Sequence, residues 1–148
     1  MNEPLGLDVK KSMLRKQVCF SQLTDDEIEI LASILVEKHF VKGDVIVKEG
    51  ERVDSAYLII SGDADVRRPI DKDFPEKTHS IATLGKDTAI GLNETGFYSL
   101  TGIRTATVIA LTDMVALRLS VAAFHGFALA YSHVNEVMRQ HARKILQF

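Results

Sequence analysis

The chain has 148 residues, of which 46% are hydrophobic and 26% are charged, and its formal net charge is -2. This composition is that of one globular domain with enough apolar chain for a core. The weak negative charge argues against a nucleic-acid-binding surface, because no basic excess is available to neutralise phosphates.

Two helices are predicted ahead of any strand. Apolar residues between Leu5 and Phe20 lie loosely at helical intervals, which indicates a short amphipathic helix. Thr24, followed three residues later by Glu27, forms a capping box that begins a second helix at about 25 to 36. The apolar face of this second helix is predicted to consist of Ile28, Leu31 and Leu35, and Val36 could extend it.

From His39 the hydrophobic period changes from 3.6 to 2, which predicts a series of short strands separated by turns rich in Gly and Asp. Many short strands at regular spacing favour a small barrel, roll or sandwich over a parallel βαβ sheet. The charged segment 69–76, bracketed by prolines, is predicted to be an exposed hairpin tip. The β-type runs are Phe40–Val41, Val45–Val47, Tyr57–Ile60, Ala64–Val66, Ser80–Ala82 and Val115–Leu117.

Arg104 opens an apolar, β-branched run, Arg104–Val108, that otherwise predicts a buried strand. Burying a guanidinium without a partner is costly, so Arg104 is expected either to meet an anion or to face solvent. Gly91, thirteen residues upstream, begins a loop rich in Asn, Thr, Gly and Ser, and a flexible backbone facing an arginine is typical of a phosphate site. The alternative is a surface arginine paired with a carboxylate such as Glu94 or Asp87.

The helical period returns after Leu119. Ser120 and Ser132 are placed to cap two C-terminal helices. The apolar stripe of the last helix could pack on the chain's own strands or form a two-fold seam with a second copy. That stripe consists of Val134, Val137, Met138, His141, Ile145 and Phe148.

Two ordered sets of residues carry a resemblance to a known family. The first is Phe40, Gly43-Asp44, Ile46, Glu49-Gly50-Glu51, Asp54, Tyr57-Leu58-Ile59, Ser61-Gly62 and Val66. The second is Leu84-Gly85, Gly91, Arg104 to Val108, Ala110, Thr112-Asp113, Leu117 and Phe124. In this order, over about residues 20 to 130, the chain resembles the cyclic-nucleotide-binding domain family.

The resemblance implies a single domain over 1–148 that is mainly β with flanking α-helices. Helices are expected at about 7–36 and 120–148, on either side of a β-roll (a double-stranded β-helix related to jelly rolls) at about 37–119. The resemblance also implies a pocket closed by a loop and a short helix, the phosphate-binding cassette. In the family, backbone N–H groups of that helix and an arginine hold the cyclic phosphate, and a glutamate accepts a hydrogen bond from the ribose 2′-hydroxyl.

Two residues of this chain match the family's phosphate site, and one departs from it. Arg104 matches the phosphate-binding arginine, and Gly91 matches the cassette glycine, with Ile90 in place of the aromatic residue before it. Leu92 lies where the glutamate is expected. Because leucine accepts no hydrogen bond, the substitution removes roughly 0.5–3 kcal/mol of binding free energy.

Three further residues complete the expected ligand-binding set. Asn93 and Glu94 follow in the cassette, and Glu94 could replace the missing glutamate if the loop folds back. Thr105 follows the arginine, and in the family a threonine there often accompanies a preference for cyclic GMP.

We therefore expect a non-enzymatic regulatory sensor that binds cyclic AMP or cyclic GMP, without a cofactor or metal, and signals to an effector protein. The alternative is a degenerate cassette that binds no nucleotide and serves as a protein-interaction or dimerisation module. The five histidines do not cluster at metal spacing, and no nucleophile motif occurs. The single cysteine, the absence of an apolar signal core and the absence of any apolar run near ~20 residues favour a cytoplasmic protein without membrane contact.

Overall fold

The computed structural model describes residues 4–93, 96–97 and 102–146, with side chains described for all of these except 93, 96–97 and 141–146. The chain starts with helix α1 (Leu7–Arg15), a short 3-10 helix (Val18–Phe20) and helix α2 (Asp25–Ser33). It ends with helices α3 (Val121–Ala130) and α4 (Ser132–Leu146). No helix in the described ranges is long and apolar enough to cross a membrane.

The capping box predicted for α2 is confirmed. The Thr24 hydroxyl accepts a hydrogen bond from the Glu27 N–H at 3.2 Å, and the Glu27 carboxylate accepts one from the Thr24 N–H at 2.8 Å. Helix α2 ends at Ser33, three residues before the predicted end at about 36. Val36 instead begins the first strand, where it pairs with Arg118 and is half exposed. Pairing with a distant strand therefore outweighs the helical spacing of Val36.

Between the helices, the described residues form ten short strands of an antiparallel roll. The strands are β1 (Val36–Phe40), β2 (Val45–Val47), β3 (Ser55–Ser61), β4 (Ala64–Pro69), β5 (Thr78–Leu84), β6 (Ala89–Ile90), β7 (Leu92–Asn93), β8 (Gly96–Phe97), β9 (Thr107–Ala110) and β10 (Met114–Ser120). One sheet has the order β1-β10-β3-β6, a second has the order β2-β9-β4-β5, and β7 pairs with β8. The hairpin β4–β5 carries segment 69–76 at its tip, as predicted, with the Ile70 and Phe74 side chains exposed.

Two apolar clusters hold this fold together. One lies inside the roll and includes Ile59 and Val108, and the other joins the N- and C-terminal helices to β3 and β10. Val134 and Val137, on the first half of α4, are buried in this second cluster. These two members of the predicted stripe thus pack on the chain's own core. The seam with a second copy stays a prediction, since the side chains beyond 140 lie outside the described set.

A polar contact fastens α4 to α2 beside this core. His133, at the start of α4, places its Nδ1 2.7 Å from a carboxylate oxygen of the buried Glu27. Burial raises the pKa of Glu27, but hydrogen bonds from the Thr24 N–H and from His133 outweigh burial, and the pKa lies below its usual value. The carboxylate is therefore held charged at the junction of the two helices.

Candidate functional site

A cavity of about 360 Å³ lies within the roll, beside the segment that joins β6 to β7. Four residues of the predicted ligand-binding set line it, namely Gly91, Leu92, Arg104 and Thr105. Its walls are mainly apolar and include Val47, Val66, Ile81, Leu84, Ile90 and Val108. A concave apolar site with few polar groups is the usual form of a small-molecule pocket.

Arg104 is buried, with 7% of its surface exposed. The prediction that a strand begins at Arg104 is wrong, because Arg104 lies outside any strand. Strand β9 begins only at Thr107. Before that point the Arg104 backbone bonds to the turn after β2, donating to the Glu51 carbonyl at 2.8 Å and accepting from the Gly50 N–H at 3.0 Å. These two hydrogen bonds hold the Arg104 main chain to the turn after β2 and outside the sheet, and the Arg104 side chain is buried.

The guanidinium of Arg104 meets the protein's own backbone. Its Nη2 donates a hydrogen bond to the Ser55 carbonyl at 2.7 Å and lies 3.9 Å from the Asp54 carboxylate. Burial lowers the pKa of Arg104, and Asp54 and other neighbours partly offset this. The predicted alternative was a surface arginine paired with Glu94, Asp87 or another carboxylate. The surface position is wrong, because Arg104 is buried, and Asp87 pairs with Lys16 at 3.0 Å. A carboxylate does lie near Arg104, but it is that of Asp54.

The glycine at position 91 allows the cassette backbone to approach this guanidinium. Gly91 has a φ of +87°, which favours glycine, and a Cβ built there would lie 2.8 Å from Nη1 of Arg104. The same Cβ would lie 3.4 Å from the Ser55 carbonyl oxygen. The pairing of a glycine with an arginine thirteen residues later, predicted from the sequence, is thus a direct contact in the structure.

The cassette departs from the resemblance directly after Gly91. The resemblance implies a short helix there, but Leu92 and Asn93 form strand β7 and pair with Phe97 and Gly96 of β8. In the described part of the cassette, no helix N-terminus is available to a phosphate. Leu92 is half buried, and its side chain packs on the helical core as well as lining the cavity.

The remaining predicted residues have different outcomes. The Asn93 side chain and the whole of Glu94 lie outside what the structure describes. Thr105 is exposed at the cavity rim, and its carbonyl accepts a hydrogen bond from Nε of Arg68 at 3.0 Å. Arg68, which also lines the cavity, was missed by the sequence prediction. The signal for it was the alternation along β4, which puts Ala64, Val66 and Arg68 on one face.

The structure is a β-roll with flanking helices and a cavity lined in part by a buried arginine. A family model described as the cyclic nucleotide-binding domain matches residues 37–131. The chain belongs to this family, as the sequence resemblance predicted.

Individual relatives agree with this assignment. The chain is 28% identical over 82 residues to a cGMP-dependent protein kinase of Plasmodium berghei (strain Anka), a match that covers 55% of this chain and 9% of the kinase. The N-terminal domain of a transcriptional regulator from Streptomyces coelicolor A3(2) superposes with a TM-score of 0.76 at 24% identity, covering 91% of this chain and 90% of that domain. The regulatory domain of Toxoplasma gondii PKA, crystallised with cAMP, superposes with a TM-score of 0.72 at 18% identity, covering 85% of this chain and 46% of that one. The chain thus spans less than a tenth of the kinase and about half of the PKA regulatory domain.

Proposed function

We propose that this domain is a non-enzymatic sensor that binds cyclic AMP or cyclic GMP in the cavity at Arg104. The observation that carries the proposal is a buried guanidinium that lines a mainly apolar cavity of about 360 Å³. A cyclic nucleotide offers one negative charge to the guanidinium and a flat, weakly polar purine to the apolar walls. The cavity volume lies near the lower end of small-molecule pockets, roughly 300–1,000 Å³.

The phosphate would give Arg104 a stronger partner than it now has. A guanidinium has five N–H donors, and among the described residues Nη2 bonds a neutral carbonyl, that of Ser55. Hydrogen bonds between two charged groups are about twice as strong as those between neutral groups. Ligand binding would therefore add a charged partner to the neutral carbonyl of Ser55, the one hydrogen-bond acceptor of the guanidinium among the described residues.

In this proposal, helix α4 reports occupancy of the cavity. It packs against β8 of the cassette hairpin and against the 3-10 helix after α1. A ligand that fixes the cassette would favour one arrangement of α4 by its differential affinity for the two states. An effector protein that contacts α4 would then sense the ligand.

A second candidate is a degenerate cassette that acts as a protein-interaction or dimerisation module. Two observations favour it, namely Leu92 at the glutamate position and the strand β7 where the resemblance implies a helix. In that case Arg104 would be a structural residue held by the Ser55 carbonyl. Sedimentation analysis at several protein concentrations would detect the dimer.

Calorimetric titration with cyclic AMP and cyclic GMP tests the first proposal. We expect binding that Arg104→Ala weakens by about 100-fold or more, because two charge-assisted hydrogen bonds contribute about 1.5–3 kcal/mol each. Arg15→Ala is the matched control, since Arg15 lies on α1 and pairs with the exposed Asp25. No heat and no thermal shift at millimolar nucleotide would refute the sensor proposal in favour of the second candidate.

A further inference from the structure

Arg68 is a second cationic group among the described residues that line the cavity. It lies on β4, where Val66 and Arg68 face the cavity. Its neighbour Arg67 instead bonds Asp65 at 2.8 Å and Thr78 at 2.9 Å and does not line the cavity. Because side chains alternate along a strand, Arg67 lies on the face that bonds Asp65 and Thr78, and Arg68 lies on the face that lines the cavity.

The guanidinium of Arg68 is oriented by one hydrogen bond. Its Nε donates to the Thr105 carbonyl at 3.0 Å, and this bond ties β4 to the residue that follows Arg104. Neither Nη group of Arg68 donates a hydrogen bond to any residue that the structure describes. No aspartate or glutamate lines the cavity among the described residues. The two Nη groups therefore form a pair of donors that no carboxylate accepts from within the described part of the cavity.

The two arginines lie in different surroundings. Arg104 is buried against Gly91 and Ser55, where the cassette backbone approaches it closely. Arg68 is exposed and shares its wall with Val66 and with Ile81, a large apolar side chain that is 45% exposed. A purine ring would cover this exposed apolar surface, while the phosphate would occupy the guanidinium of Arg104. The base of a bound nucleotide is therefore expected next to Arg68.

We propose that Arg68 is a specificity-determining residue that selects guanine over adenine cyclic nucleotides, which rests on the proposed function. Guanine presents two adjacent acceptors, O6 and N7, and an arginine donates to both at once. Adenine presents a donor, the N6 amino group, in place of O6, and so leaves one guanidinium N–H unpaired. The same pair of donors would also fit two phosphate oxygens, and the experiment must separate these two uses.

Calorimetry with cyclic GMP and cyclic AMP on the intact chain, on Arg68→Ala and on Arg68→Gln provides the test. We expect the intact chain to prefer cyclic GMP by about 5- to 150-fold, the range given by one bidentate base contact. Arg68→Ala should lose most of that preference through weaker binding of cyclic GMP, with the affinity for cyclic AMP within about threefold. Arg68→Gln should move the preference toward cyclic AMP, because a glutamine amide pairs with N6 and N7 of adenine.

Each contrary result has its own meaning. Equal weakening of both nucleotides by Arg68→Ala would make Arg68 a phosphate contact and overturn the proposal. Unchanged affinities in both variants would show that Arg68 does not reach the ligand, and would overturn it as well. If the intact chain binds neither nucleotide, the proposed function fails together with this inference. Thermal melts check folding, which the exposed position of Arg68 should leave within a few degrees of the intact chain. Arg15→Ala serves again as the charge-matched control.

Discussion

Replacing Gly91 by alanine tests whether the approach of the cassette to Arg104 is essential. At a φ of +87° the backbone of residue 91 is in the left-handed region, which costs an alanine about 1–2 kcal/mol of folding free energy relative to glycine. The added Cβ would lie 2.8 Å from Nη1 of Arg104, so the guanidinium must retreat by about 0.6 Å to reach ordinary contact distance. That retreat disturbs the 2.7 Å hydrogen bond to the Ser55 carbonyl and adds about 0.5–1.5 kcal/mol. We expect a total loss of about 1.5–3.5 kcal/mol in the free energy of unfolding.

Gly43→Ala is the matched control. Gly43 has a φ of +95°, and a Cβ there would meet nothing within 4 Å, so this variant carries the backbone strain alone. Urea unfolding of both variants should show Gly91→Ala less stable than Gly43→Ala by about 0.5–1.5 kcal/mol, the contribution of the contact with Arg104. Calorimetry should show nucleotide affinity lowered about tenfold or more in Gly91→Ala and unchanged in Gly43→Ala. Equal stability and equal affinity in the two variants would refute the argument that position 91 is a glycine to admit the guanidinium.

Three further outcomes are expected. Leu92→Glu should tighten binding of cyclic nucleotides by about 2- to 100-fold by accepting from the ribose 2′-hydroxyl, and an equal gain with a 2′-deoxy analogue would contradict this reason. The stability that Glu27 contributes through its lowered pKa should be present above the ordinary glutamate pKa and be lost as the pH falls through the pKa of the folded state. Urea unfolding between about pH 6 and 3 should therefore show a steeper loss for the intact chain than for Glu27→Gln, and parallel curves would exclude Glu27 as the group concerned. Gly62→Ala should destabilise the fold more than Gly43→Ala, since a Cβ at position 62 would lie 2.4 Å from the Asp113 carbonyl oxygen, and thermal melts in which the two variants coincide would disprove it.

Local patterns made much of the fold predictable. The capping box at Thr24 and the hairpin tip at 69–76 depend on residues a few positions apart, and both are confirmed. The end of α2 was not predictable in the same way. Val36 fits the helical spacing, yet it pairs with Arg118, which lies 82 positions further along the chain. Pairing over such a distance leaves no trace in the local period of the sequence.

The candidate site was also predictable from the sequence only in part. Arg104 and Gly91 were predicted to act together, and the structure brings them into contact. The partner of Arg104 was not predictable, because the Ser55 carbonyl is a main-chain group that any residue would supply at that position. The strand after Gly91 was also missed, since the resemblance implied a helix there.

The sequence by itself therefore determined the class of domain, the turns of the roll and the proximity of Arg104 to Gly91 in the candidate site, because each depends on residue types at short or ordered spacings. The tertiary structure alone decided what surrounds Arg104 and that Arg68 shares its cavity. Both depend on the closure of the roll, which brings β4, the start of β3 and the segment before β9 together from positions that are tens of residues apart. Such contacts are set by packing of the whole sheet, and no short stretch of sequence specifies them.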